Sequence, residues 1–506
     1  LEQPVKAAIE TPALSSGFET WRDLSGCSRE VGGVFQPRSR DEVLEIIRSS
    51  QRDGVKLHAI SCGRNWGFGS RLPVAPKAVV LDLSGLRAIR KLDLDQDYVE
   101  LEPGVTQGDL DDALTRAGGS HYFNVTGAGR STSMLGNSLE RGIGYFGSKK
   151  DDLLDLEIAL GNGEVVWSKG QGDNPHHPGL GPDLTGLFQQ SGWGVVIGAR
   201  MRLRKKPPYM AAILAQLAPT ASFVFYLDVI AQLAKEGLIH SVPHIASRER
   251  MISTFGPYLP AEAVRQFAAS APEWSALIPV GGSREMVEAL FALVRARMES
   301  IAPCRLIDPD SCAKEPHLVP ALDLALGKPN DFALPSVGYA ALPGTPIYKG
   351  DLDAGRAGLV HVTPTSPARG ADVARLLAAI DETRAAFGFV PLAMTLNLVN
   401  AGTVAVIISI PFDRENPAAA ANAHALARAL HRTCGELGFT PYRLGLEDAE
   451  NLPAMPPERA RLLRGLGRLA DPNAVLAPSR YSAWWNETAD GHASSDHNRA
   501  AAEVLP

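Results

Sequence analysis

The sequence predicts an α+β protein of more than one structural unit, on three observations. At 506 residues the chain exceeds what one simple core holds. A Lys205-Lys206-Pro207-Pro208 break follows a strand-like run and reads as a boundary. Beyond it, residues 209–438 mix strand-like runs with long amphipathic helices, the alternation of a unit whose helices cover one sheet face. The segments expected are therefore 1–208, 209–438 and 439–506.

The elements follow in order. Ser39 and Glu42 form a capping box ahead of EVLEIIRSSQRDG, a helix with Val43, Leu44, Ile46 and Ile47 on one face and Gly54 at its end. Strands are expected at Val55–Ile60, Val79–Leu83 and Tyr98–Leu101, then a turn through Pro103 and Gly104 into the helix DLDDALTRAG. Leu156–Leu160 and Glu164–Trp167 flank Gly161-Asn162-Gly163, a hairpin signal. VVIGARMRL reads as a strand before the break. In the second segment REMVEALFALVRARMES (284–300), ARLLAAIDETRAAFG (374–388) and AAAANAHALARALHRTCGELG read as helices, and TVAVIISIPF (403–412) as a strand. The third carries TPYRLGLED, the helix ERARLLRGLGRLA and DPNAVLAPSRYSAWW; its tail ADGHASSDHNRAAA is expected to be poorly ordered.

Composition excludes several classes. With 50 basic and 56 acidic residues the net charge is −6, and no dense Lys/Arg block occurs, which argues against nucleic acid. No apolar run approaches the ~20 residues of a membrane span. Five scattered cysteines oppose a disulfide framework and favour a reducing compartment. No secretory h-region opens the chain, so a cytoplasmic location is expected; because Leu1 rather than Met comes first, a periplasmic one stays open.

Two glycine-rich stretches carry the chemistry. HAISCGRNWGFGS (His58–Ser70) is a strand emptying into a turn with Gly63, Gly67 and Gly69, which can aim successive N–H groups at one anion beside the charge of Arg64. VTGAGRSTSMLGNSLERGIGYFG (125–147) adds glycines, small hydroxyls and amides that let a backbone approach a diphosphate. Together they point to the diphosphate of a flavin dinucleotide. Gly142, Gly144 and Gly147 also spell GxGxxG, but no strand precedes the triplet and no helix follows, so a nicotinamide-binding Rossmann turn is rejected.

SCGRNWGFG, VVLDLSG, YVELEPGVT, SMLGNSLERGIGY, ALGNGEVV and the late DPNAVLAPSRY resemble, in their order, the flavin oxidoreductases typified by vanillyl-alcohol oxidase and p-cresol methylhydroxylase (PCMH). The resemblance is dense over the first 205 residues and the last 70, and thin between. It implies a PCMH-type FAD-binding domain formed by both chain ends, with an inserted α+β cap domain over the flavin. It also implies hydride transfer from a 4-alkylphenol or benzylic alcohol to flavin N5, reoxidation by O2 or a redox protein, and a possible homodimer. Cofactor contacts carried over are Ser61, Cys62, Gly63, Arg64, Asn65, Gly67, Phe68, Gly69, Pro103, Gly127, Ser133, Gly136, Asn137, Glu140, Arg141, Gly142, Gly194, Val195, Val196 and Arg480.

For the substrate, Tyr442 and Arg443 match the family's C-terminal Tyr-Arg pair at the phenolate site, while Phe68 stands where relatives place a phenolate tyrosine. Arg443 reads as an anion clamp or a structural arginine, Tyr442 as a donor or a packed ring, and His361 as a base or donor beside the flavin or a hydrogen-bonded cap histidine. No Asp or Glu lies between Phe123 and Asn137, where the family's acidic residue is expected. Gly402–Phe412, matching a strand that carries a flavin-linked His or Tyr in several members, has neither, so FAD is expected to be non-covalent. His176 and His177 lack a third ligand and no metal is expected; Cys62 reads as packed rather than reactive. The alternatives are a tailoring oxidase or dehydrogenase of a non-phenolic substrate, and a flavin-fold binding module without turnover.

Overall fold

The computed structural model describes residues 18–476 and Tyr481, apart from 171, 219–220, 302–303, 315–317, 346–349, 389 and 449–454. Arg480 and the C-terminal tail therefore lie outside the described residues.

The first sheet is parallel, in the order β1 (Val34–Phe35), β3 (Val79–Asp82), β2 (Leu57–Ile60). Its connection is α1 (Arg40–Asp53), which starts because Ser39 accepts from the Glu42 amide and stops at Gly54 with φ 67°. The Glu42 carboxylate reaches the amide of Arg38 at 2.8 Å, one residue before the cap. Val43, Ile46 and Ile47 bury one face of α1 against Leu57, Val79 and Leu81.

A five-stranded antiparallel sheet follows. β4 (Ile89–Asp93), β5 (Tyr98–Leu101), β6 (Leu153–Leu160), β7 (Val165–Trp167) and β8 (Gly194–Arg202) lie in the order β7-β6-β8-β5-β4. Asn162 makes the β6–β7 turn by accepting from the Glu164 amide at 3.0 Å. Beside this sheet, α2 (Gln107–Arg116) is closed by a reciprocal Thr106–Asp109 capping box. The Gly142/Gly144/Gly147 triplet forms a small antiparallel hairpin in which Gly144 pairs with Gly147, with no strand-to-helix turn.

Residues 209–413 build the largest sheet from β9 (Tyr209–Leu217), β10 (His244–Ser247), β11 (Trp274–Gly282), β12 (Cys304–Ile307), β13 (Ala357–Val362), β14 (Ala393–Asn400) and β15 (Thr403–Asp413). Its order is β12-β9-β11-β10-β14-β15-β13, with Thr365–Pro367 also paired to β15. Helices α4 (Phe223–Lys235), α6 (Arg284–Ile301), α7 (Gly370–Ala385) and α8 (Pro417–Glu436) supply much of the core on one face. The short α5 (Arg248–Phe255) leaves the end of β10 directly.

The C-terminal segment returns to the first sheet after α9 (Pro457–Ala470): Leu57 pairs with Leu476 as a parallel bridge and donates to Val475 O at 2.7 Å. Asp471 organises this return. Its carboxylate accepts from the amides of Val475 (3.1 Å) and Leu476 (2.8 Å) and from Gln51 Nε2 (3.1 Å), and burial raises its pKa. Asp471→Ala leaves those buried donors unpaired and is expected to lower stability by about 1–3 kcal/mol. Urea unfolding followed by tryptophan fluorescence measures this; an unchanged midpoint would remove Asp471 from that role.

Candidate active site

Two spaces meet inside the molecule. The first is a cleft between the loop after β2 and the start of α3 (Met134–Leu139), lined by Ser61–Asn65, Pro103, Ser133, Gly136, Asn137, Glu140 and Gly194–Val196. Gly63 takes φ 64°, which turns the loop back over the cleft. Ser133 caps α3 by accepting from the Gly136 amide at 3.0 Å and donates to Pro103 O at 2.7 Å, which ties the start of α3 to the turn at Pro103. A Cβ on Gly136 would collide with Ser61 Oγ. This close approach of the Ser61 side chain to Gly136, with a buried Asn137 Oδ1 that has no hydrogen-bond partner among the described residues, fits a dinucleotide laid along the cleft.

The second space is a cavity of about 650 Å³ between that junction and the large sheet. It shares Arg64, Asn65, Asn137 and Arg443 with the cleft, so a group reaching the end of one enters the other. Phe68, Gly127, Gly142, His361 and Tyr442 line the cavity rather than the cleft. Gly67, Gly69 and Arg141 line neither. Gly67 sits where any Cβ would collide with the His361 ring, Gly69 takes φ 104° in the turn, and Arg141 takes φ 54°. Cys62 donates to Gly104 O at 3.7 Å, and burial pushes its thiol up to about 11, so it is packed and protonated. His176 and His177 bond to the backbone around Gln96 and Gly179.

Arg64 pairs with Asp351 at 3.2 Å and lies 5.4 Å from the Trp66 ring centroid, a half-buried ion pair at the mouth of both spaces. Arg443 is 8% exposed. It donates through Nη2 to Asn65 Oδ1, lies 3.7 Å from Glu140 Oε2 through Nε, and stacks 4.5 Å over Phe68. Tyr442 is pushed above its ordinary pKa by burial, against the pull of Arg443. His361 packs on Phe68 with ring centroids 5.0 Å apart, and its Nδ1 is 3.1 Å from Ser409 Oγ. Burial, reinforced by Arg250 and Arg443, lowers it to about 3, so the imidazole is neutral.

Sequence reasoning missed three groups. Gln190 lines the cleft and donates to Tyr442 O at 2.9 Å. Arg250, on α5, and His244, on β10, line the cavity from the large sheet. Arg250 follows the exposed Arg248 in a charged helix start and looks like a solvated end. The pairing of His244 with Asn397 is long-range, and only the residue types at a cavity wall would have flagged it.

Residues 31–169 match the family described as "FAD binding domain". The chain is 26% identical to 1'-carboxy-chondrochloren decarboxylase of Chondromyces crocatus, over 95% of this chain and 94% of that protein. It is 24% identical to the 4-cresol dehydrogenase [hydroxylating] flavoprotein subunit of Pseudomonas putida, over 87% and 85%. A crystal structure of p-cresol methylhydroxylase superposes with a TM-score of 0.79 at 22% identity, covering 89% of each chain. The fold is thus that of the PCMH-type flavoproteins, and the chain is an FAD-dependent oxidoreductase with a PCMH-type FAD-binding domain. No helix among the described residues is long and apolar enough to cross a membrane.

A neutral His361 has two consequences. It does not titrate between about pH 5 and 9, so it contributes no limb to the pH profile of flavin reduction. A limb near pH 6.5 that disappears in His361→Asn would contradict this. The unfolded imidazole takes a proton below about pH 6.5, whereas the folded one resists until about 3. Stability therefore falls as the pH drops through that window, and the thermal midpoint should fall less steeply in His361→Asn.

Proposed function

We propose that the enzyme takes a hydride from the benzylic-type carbon of a small aromatic, hydroxylated or alkylated substrate. The single observation that carries this is the junction: cleft and cavity share Arg64, Asn65, Asn137 and Arg443, with Tyr442, Phe68 and His361 gathered at that end of the cavity. FAD in the cleft supplies the two-electron acceptor at N5. Residues 209–438 act as a cap whose sheet closes the cavity and excludes water.

A phenol titrates near pH 10, so holding it ionised at neutral pH needs a fixed cation and donors. Arg443 provides the charge and Tyr442 a hydroxyl, while Phe68 and the aliphatic cavity wall pack the ring. Neutral His361 accepts or donates one hydrogen bond beside the reacting carbon rather than acting as an acid. No Asp or Glu is found among the described residues lining the cavity, so the proton that leaves the aromatic hydroxyl passes to solvent rather than to a carboxylate.

Anaerobic mixing with a 4-alkylphenol should bleach the bound flavin. Arg443→Met removes a charge-assisted contact of about 1.5–3 kcal/mol, a loss of about 10- to 100-fold in kcat/KM. Phe68→Tyr, which restores a second hydroxyl, should raise activity on 4-alkylphenols. FAD is proposed to be non-covalent, so acid precipitation should leave the yellow colour in the supernatant; colour in the pellet overturns it.

A second reading is oxidation with loss of CO2 from a tailoring substrate. The full-length likeness to a protein named a decarboxylase favours it, as does the apolar Phe68 at the phenol end. Labelled CO2 released in proportion to flavin reduced would select this reading, and reduction by simple 4-alkylphenols without it would select the first.

A further inference from the structure

We infer that Arg250 is a second anion anchor, on the cap side of the cavity, that holds a carboxylate of the substrate and so determines specificity. The inference rests on the proposed reading in one respect, that the substrate's aromatic end lies at Tyr442 and Arg443.

Four arginines, Arg64, Arg250, Arg305 and Arg443, line the cavity, and no Asp or Glu does among its described lining residues. Their charges are not equally compensated. Arg64 has Asp351 at 3.2 Å and Arg443 has Glu140 at 3.7 Å. Arg305 is exposed. Arg250 is the exception: its Nη2 donates to two neutral oxygens, Ala393 O at 3.2 Å and Ser409 Oγ, and no carboxylate among the described residues pairs with it. Its Nε is buried without a hydrogen-bond partner. A half-buried guanidinium tethered by neutral acceptors keeps its whole positive charge, and such a charge is costly unless a ligand compensates it.

The surroundings select the ligand. His361 and His244, both held neutral by burial, add no further charge to this wall. On the same wall stand the cross-strand neighbours His244 and Asn397, whose buried Nε2 and Oδ1 have no hydrogen-bond partner among the described residues. One unpaired guanidinium matches one monoanion, and its planar fork matches a carboxylate. A phosphate dianion would call for a second unpaired cation shielded from water, and Arg305 is exposed. Arg443, on the flavin side, already serves the aromatic oxygen, and the two cations flank His361. The substrate class is therefore an arylalkanoic acid, with its ring toward the flavin and its carboxylate toward Arg250.

The test uses the full-length holoenzyme and two probes that differ only in the terminal group, 4-propylphenol and 3-(4-hydroxyphenyl)propanoate. Perturbation of the bound flavin's visible spectrum gives the affinity for each, and anaerobic bleaching is read separately. Wild type should bind the acid about 10- to 100-fold more tightly than the phenol. Arg250→Met should bring that ratio close to one, and Arg250→Lys should leave an intermediate value. A wild-type ratio near one, an unchanged ratio in Arg250→Met, or no spectral response to either probe overturns the proposal. Structural damage would weaken both probes and leave the ratio intact. Should Arg250→Met not fold, the wild-type ratio and Arg250→Lys decide. Bleaching by 4-propylphenol without preference for the acid removes the anchor and keeps the proposed function. Preference for the acid without any bleaching does the reverse.

Discussion

The site depends on how one buried cation is held. Arg443 sits on an irregular segment between the large sheet and the C-terminal return, and its backbone is fixed from several sides. Thr363 Oγ1 donates to Arg443 O at 2.8 Å, the Tyr442 amide donates to Thr363 O at 3.1 Å, and Gln190 Nε2 donates to Tyr442 O. Leu444 N donates to the Tyr481 hydroxyl at 3.4 Å. The guanidinium meets Asn65 and Glu140, which belong to the two glycine-rich loops. A buried charge tolerates little displacement from such partners, because each lost contact exposes an uncompensated ion. Segments distant in sequence are thereby held at one point, where the cleft ends and the cavity begins.

That arrangement also fixes the electrostatics. Arg250 and Arg443 both act on His361, and burial acts in the same direction, so the imidazole stays neutral. Ser409 connects the elements: its hydroxyl accepts from Arg250 and stands 3.1 Å from His361 Nδ1. A cavity walled by cations and a neutral imidazole favours anions and disfavours ammonium groups, whatever the aromatic framework between them.

What the sequence made legible was local. The glycine turn, the Ser39 cap and the Asn162 hairpin each depend on residues within a few positions, and each occurs in the structure. The GxGxxG triplet was separable from a dinucleotide turn for the same reason, since its flanks lack a strand and a helix. β9 was harder to read because it is covered on both faces. Ile213 and Ala215 point into the main core while Ala212 and Leu214 pack against Leu318 and Leu322, so YMAAILAQL shows no clean alternation. Arg250, His244 and Asn397 were invisible as a group because strand pairing across long separations brings them together, and no local pattern records that.

The His58–Ser70 loop, whose glycines predict a cofactor cradle, is divided at Asn65. Ser61 to Asn65 face the cleft, whereas Trp66 and Phe68 face the cavity. At Gly67 the turn passes so close to the His361 ring that a Cβ would collide with it. Phe68 in turn is held between His361 and the guanidinium of Arg443. One short turn therefore sets both the end of the cleft and a flat aromatic wall of the cavity, and any substitution that shifts its backbone moves both together. Side-chain changes at Phe68 that leave the backbone in place are the route by which that wall can vary alone.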